Sequence, residues 1–147
     1  MVIRPGAPNA AASSFASGLF REPLNGETCE LPVSRDQGVP VVSYSTVTKC
    51  FIAIHELAAE SIHSDRTLTL PCRCYTVTEM IETMQRCAAR HGIELGPVID
   101  KPDAVIRRIV DSWPIGTDAT RAINLGLPDE KPLEEVIEDY ITDYLKN

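Results

Sequence analysis

The sequence predicts an α/β unit in which short strands alternate with helices, and three observations carry that reading. Apolar residues recur at helical spacing in three long stretches. Capping residues stand at the ends of these stretches. Short β-branched runs, bounded by turn or polar residues, fall between them.

Taken in order, Met1 to Arg4 reads as a strand. Thr28 to Val33 and Val39 to Val42 are weaker strands, because Pro32 and Pro40 each remove a backbone donor. Ser45 is placed to cap a helix whose apolar stripe is Val47, Cys50, Phe51, Ile54, Leu57 and Ala58. Thr67 to Leu70 reads as another strand. Thr76 and Glu79 have the Thr-x-x-Glu spacing of a capping box ahead of Met80, Ile81, Met84 and Ala88, and Gly92 supplies a stop. Pro102 to Asp111 is expected to form a short helix or irregular turn around Ile106 and Ile109. The last helix carries Leu133, Val136, Ile137, Tyr140, Ile141, Tyr144 and Leu145 on one stripe. Glu134 and Glu135 in its first turn and Lys146 near its end suit the helix dipole. Its tyrosines read as core or core rim.

Composition fits one domain-sized unit over residues 1–147: 44% of the residues are hydrophobic and 24% charged. A net charge of -7 with dispersed Lys and Arg argues against general nucleic-acid binding, which needs clustered cations. No apolar run approaches membrane-spanning length, and the start lacks the basic and long apolar regions of a signal peptide. A cytoplasmic location is the resulting expectation, with no membrane partner.

The five cysteines, Cys29, Cys50, Cys72, Cys74 and Cys87, read as free buried thiols. Cys72-Arg73-Cys74 does not have the Cys-x-x-Cys spacing of redox or zinc motifs. His55, Glu56, Glu60 and His63 lack the second His of a zincin motif, since Ala59 stands there, and read as a solvated helix edge. No metal site is expected. His91, at a helix end, is suited to the dipole there. Ala10 to Ser14 is a loop of small residues, open to either a flexible connection or close ligand approach.

Two stretches carry a resemblance. One is Arg107-Arg108-Ile109-Val110-Asp111-Ser112-Trp113 with Asp118-Ala119-Thr120-Arg121-Ala122-Ile123-Asn124-Leu125-Gly126. The other is Val2-Ile3-Arg4-Pro5-Gly6-Ala7-Pro8-Asn9 with Ala12-Ser13-Ser14-Phe15-Ala16-Ser17-Gly18 and Arg21-Glu22-Pro23-Leu24. In this order they resemble the C-terminal, substrate-binding half of the extended short-chain dehydrogenase/reductases, the NAD-dependent epimerase/dehydratase family. Within it the D-erythronate dehydrogenase branch is most similar. The resemblance implies the C-terminal part of a Rossmann-type fold, lacking the N-terminal dinucleotide-binding half. The family's Gly-x-x-Gly-x-x-Gly turn for NAD has no counterpart here. Neither has its catalytic Tyr-x-x-x-Lys, because Tyr44 precedes Lys49 by five residues; no catalytic residue is assigned.

The resemblance further implies Pro5 and Gly6 beside the nicotinamide of NAD, and Asn9, Ser13 and Ser14 facing substrate. Arg21 would supply a donor fork to a sugar-acid carboxylate. Arg108 matches a phosphate-holding position of nucleotide-sugar epimerases, with pairing to Asp111 as the alternative. Trp113 lines the pocket or anchors the core. Val39-Pro40-Val41-Val42-Ser43-Tyr44-Ser45 departs from the branch, which has an aromatic-rich strand leading into Ser-Pro-Arg. The implied partner is a small sugar acid. Alternatively the chain is a non-catalytic module that self-associates or pairs with a complementing Rossmann half. The strands at 1–4 and 67–70 would then leave unpaired backbone and apolar surface.

Overall fold

The structure is a computed structural model that describes residues 1–9 and 11–145; Ala10 and Lys146 of the sequence reading lie outside it. Its elements are β1 (Val2–Ile3), α1 (Ser14–Leu24), β2 (Cys29–Leu31), β3 (Gly38–Ser43), α2 (Tyr44–Glu56), α3 (Ala59–Ile62), β4 (Arg73–Thr76), α4 (Val77–His91), β5 (Val98–Asp100), α5 (Ala104–Val110), α6 (Thr120–Asn124) and α7 (Leu133–Tyr144). One sheet runs β1-β3-β4, parallel then antiparallel, and β2 pairs parallel with β5. The main core gathers Leu19 and Phe20 of α1, Met80 and Met84 of α4, and Ile137 and Ile141 of α7 against the strands.

Pro40 sits inside the central strand without breaking it. The Val77 amide donates to the Gln37 carbonyl at 3.1 Å, and alternation then turns residues 37, 39 and 41 toward β4. Proline's missing N–H therefore falls on the other edge, where the Pro40 carbonyl accepts from the amino terminus. The strand expected at 67–70 is absent. The Thr67 carbonyl is taken by the Arg121 guanidinium at 2.9 Å, Pro71 follows, and Leu68 and Leu70 pack on Cys50, Ala122 and Leu127 in a second cluster. The strand that pairs with β3 is β4, a few residues further on.

Two helix signals are realised as written in the sequence. Thr76 and Glu79 form a reciprocal capping box on α4, and Gly92 ends it in the left-handed region at φ 64°. The α2 cap is Ser43 in place of Ser45: its hydroxyl accepts the Thr46 amide at 3.1 Å. The predicted α2 stripe is only half used. Cys50 is fully buried and Ile54 and Leu57 pack beside it, but Phe51 is 64% exposed. In α5, Val110 is buried while Ile109 is 38% exposed, so the helix turns a neighbouring residue inward. Along α7, Tyr140 is core and Tyr144 is rim, stacked edge-on against Tyr44.

Cys29, Cys50 and Cys87 are buried, whereas Cys72, just before β4, is half-buried and Cys74 within it exposed. His91 is held by Glu138 of α7, with Nε2 and Oε2 2.5 Å apart, so its partner is a carboxylate and not the helix dipole alone. Bonds from Arg90 and His91 keep the Glu138 carboxyl below its ordinary range. His55, Glu56, Glu60 and His63 are exposed, and no group of three potential metal ligands occurs among the described residues. Among those residues no helix is long and apolar enough to cross a membrane.

Candidate functional site

The site is organised by the turn after β1. The Met1 carbonyl faces β3, accepting the Val42 amide at 2.8 Å, so the Val2 carbonyl and Arg4 amide point to the opposite edge. Ser17 of α1 takes both: Oγ donates to Val2 at 2.8 Å and accepts from Arg4 at 3.3 Å. The edge expected to be unpaired is thus clamped to α1. Gly6, at φ 93°, turns the chain away from the sheet, and the Arg4 guanidinium bonds the Pro5 carbonyl at 3.1 Å. The returning loop is fixed by Asn9, whose Oδ1 accepts the Ala11 amide at 3.1 Å and whose own amide donates to Ser14 Oγ at 3.4 Å.

This geometry opens two cavities that share Asn9 and Ser14. The smaller, about 310 Å³, is lined by Val2, Arg4, Ser13 and Ser17 as well. The larger, about 430 Å³, runs along α1 past Gly18, Arg21 and Glu22 and is walled by Thr28 to Glu30 and Ile106. Arg21 is nine-tenths buried. Its Nε donates to Glu22 Oε1 at 3.1 Å and its Nη2 bonds the same oxygen, leaving Arg21 Nη1 and Glu22 Oε2 without partners. The carboxylate lies over Gly18, where an added Cβ would stand 2.8 Å from Oε2. Burial, then the nearby Glu22 charge, pushes the Cys29 thiol up to about 11, so that it faces the pair as a neutral group. An arginine held this way has one side tied to Glu22 and its Nη1 buried, where the resemblance implied a free donor fork.

The other expected residues fall elsewhere. Pro5 and Gly6 begin the loop and line neither cavity. Arg108 is exposed and faces neither, and among the described residues no ion pair joins it to Asp111. One residue earlier on the helix, Arg107 reaches a separate cavity of about 410 Å³ with Asp36, Asp111 and Trp113. Trp113 packs on the main core, one of the alternatives weighed for it, and walls that separate space in place of the two cavities at the site.

Sequence reasoning missed four side chains. Glu22 was signalled only by its adjacency to Arg21 and by a glycine four residues earlier. Ser17 and Glu130 bond across 15 and 87 residues, which no local pattern reveals. Arg121, quoted for the resemblance, turns out to pin the 62–67 segment through the carbonyls of Ile62, Asp65 and Thr67 and the Asp65 carboxylate.

No protein-family model matches the chain. It is 36% identical over 141 residues to D-erythronate dehydrogenase of Cupriavidus necator, which is 96% of this chain and 43% of that protein. It is also 36% identical over 139 residues to D-erythronate dehydrogenase of Haemophilus influenzae, 95% of this chain and 44% of that protein. The chain thus spans less than half the length of these curated relatives. A nucleoside-diphosphate-sugar epimerase from Agrobacterium tumefaciens superposes with TM-score 0.85 at 34% identity, over 97% of this chain and 41% of that one. The chain is similar to the carboxy-terminal part of the extended short-chain dehydrogenase/reductases. A GalE-like L-threonine dehydrogenase from Cupriavidus necator, at TM-score 0.81 and 17% identity, shares the extended dehydrogenase/reductase fold. Fold alone does not choose a substrate.

Proposed function

We propose that the chain forms the substrate-binding portion of an NAD-dependent oxidoreductase acting on a hydroxyl of a small, D-erythronate-like sugar acid. The observation that carries the reading is Arg21, nine-tenths buried beside a cavity of about 430 Å³, with Nη1 lacking a partner. A guanidinium in the wall of a cavity favours an anionic ligand there. Asn9 and Ser14 add amide and hydroxyl groups suited to a polyol. The two D-erythronate dehydrogenase relatives support the same substrate class.

Pro5 and Gly6 would lie beside the nicotinamide, where the open side of Gly6 leaves room: a Cβ there would meet only the flexible Arg4 Nη1, at 3.6 Å. NAD, when bound, supplies the hydride acceptor. This chain's residues hold the acid and exclude water; the proton chemistry belongs to the Tyr-x-x-x-Lys that the sequence lacks. The direct test is saturation-transfer NMR of D-erythronate with the purified chain, since Trp113 walls a different cavity and its fluorescence would not report. Arg21→Lys keeps the charge but loses the planar donor edge, and should weaken binding by roughly tenfold or more. Unchanged binding in that variant would sink the reading.

A second reading is favoured by a specific surface. On α2, Phe51 is 64% and Ile52 59% exposed, on a helix whose opposite side packs on the second cluster. Such a face fits pairing with a chain that carries the nucleotide-binding portion. The isolated chain should self-associate at tens of micromolar in sedimentation velocity, and Phe51→Ser with Ile52→Ser should shift it toward monomer. A monodisperse parent monomer at those concentrations would argue against it.

A further inference from the structure

We infer that the chain carries a second ligand site, a cavity of about 490 Å³ at the far end of α1, and that it takes a small organic cation, an ammonium group on an apolar body. The site is separate from the one proposed above and does not depend on the sugar-acid reading. Ser14 opens α1 and Leu24 closes it, so 11 residues, roughly 15 Å of helix, lie between the two.

The position of the cavity follows from how three helices end. Cys87 of α4 approaches the Glu134 carbonyl of α7, and His91 meets Glu138 one turn on, so α4 and α7 run in the same direction. Their ends, His91 and Leu145, line the cavity together with Leu24 and Asn25 at the end of α1. Each helix brings a partial negative charge of about half an electron to its C-terminus. The last carbonyls of a helix also lack partners within it. Among the described residues no backbone amide reaches the carbonyls of Leu24 or His91. Three such ends around one space favour a cation and disfavour an anion.

The side chains act in the same sense. Glu94 is exposed in the wall and, among the described residues, forms no ion pair. The basic groups at this end are already held: Arg90 by Glu134 at 2.7 Å and by Glu138 at 2.6 Å, and His91 by Glu138 at 2.5 Å. Asn25 is exposed, and its Nδ2 donates to the Arg21 carbonyl at 2.7 Å, so its oxygen is the end left for a ligand. The polar groups left over are acceptors, which suits an ammonium, a donor only. A hydrated metal ion has no use for the rest of the wall, which is Leu24, Ile93, Ile141 and Leu145. An organic ammonium buries its carbon body there, and the volume is that of a small-molecule site.

The test is NMR titration of the full chain with three probes of similar shape: 2-phenylethylamine, a cation near neutrality, 2-phenylethanol, which is neutral, and 3-phenylpropanoate, an anion. The amine should bind about tenfold more tightly than the alcohol, as expected for hydrogen bonds from a charged group, and the anion should bind least. Amide signals of Gly26, Ile93, Glu94 and Leu145 should move with the amine, while those of Ser14 and Gly18 beside the other cavity stay in place. Glu94→Lys, a change at an exposed position, should weaken the amine by about tenfold and leave the alcohol little changed. Circular dichroism checks that the variant folds, and the comparison of probes on the parent stands without it. Equal binding of amine and alcohol overturns the inference, as does tighter binding of the anion. An amine preference unchanged in folded Glu94→Lys also overturns it, and so does amine binding that moves only the signals of Ser14 and Gly18. Absence of amine binding at millimolar concentration removes the site. D-erythronate enters none of these titrations, so failure here leaves the sugar-acid reading standing.

Discussion

Glu130→Ala is expected to lower the unfolding free energy by about 3 kcal/mol, on the order of a 10 °C drop in melting midpoint for a chain of this size. Glu130 is 2% exposed, and its carboxylate reaches the start of α2. Its Oε2 accepts the Ser43 amide at 2.7 Å, Ser43 Oγ approaches Oε1 at 3.0 Å, and the Lys131 amide donates to Oε1 at 3.1 Å. Ser43 in turn caps α2 through the Thr46 amide. The carboxylate therefore ties the segment before α7 to the junction of β3 and α2, where the helix dipole favours negative charge. Alanine would leave the buried Ser43 amide and the half-buried Lys131 amide without acceptors, and a void between the core elements. Glu130→Gln keeps the volume and one acceptor and should cost less than half as much. Thermal and urea unfolding of the three proteins checks this; an alanine variant melting within about 2 °C of the parent would refute the clamp.

The same residue shows where sequence reading stops. The capping box at Thr76 and Glu79, the stop at Gly92 and the α7 stripe were legible because each is decided within one or two turns of chain. Nothing near Glu130 announces that its partner is Ser43, and the cap was accordingly placed on Ser45. The strand expected at 67–70 failed for a related reason. Its backbone is claimed by Arg121, more than fifty residues away, and β-pairing is settled by partners the local pattern does not contain. At the site, Asn9, Ser13 and Ser14 came from the resemblance, since residue type alone left their loop open, and the structure brings them together with Arg21 around two cavities that share Asn9 and Ser14. Arg108 and Trp113 were grouped with them by resemblance, but α5 turns Arg108 out to solvent and Trp113 toward another space. Glu22 stood in the sequence only within the stretch quoted for the resemblance, and its place over Gly18 is decided by the folded helix.

Gly96→Ala is the second large effect, and it links stability to the site. Gly96 donates its amide to the Pro23 carbonyl at 2.8 Å where the chain enters β5. A Cβ built there would lie 2.1 Å from the Glu27 carbonyl oxygen and 2.6 Å from the carbonyl carbons of Glu27 and Gly26. These neighbours are backbone and cannot rotate aside, so the two segments must separate. The cost is about 3 kcal/mol, the upper range for overpacking. Separation would also strain the neighbouring Cys29 amide bond to the Pro97 carbonyl, at 2.9 Å, and the parallel pairing of Cys29 with Val98 that begins the β2–β5 ladder. Since Thr28, Cys29 and Glu30 form one wall of the larger cavity, ligand binding should weaken along with stability. Gly116 is the control: it has open space around it and no positive φ, so Gly116→Ala should be neutral or slightly stabilising through the unfolded chain. Unfolding and ligand titration of both variants separate the possibilities. If Gly96→Ala unfolds and binds like Gly116→Ala, the close passage of the two backbones is not what holds that wall in place.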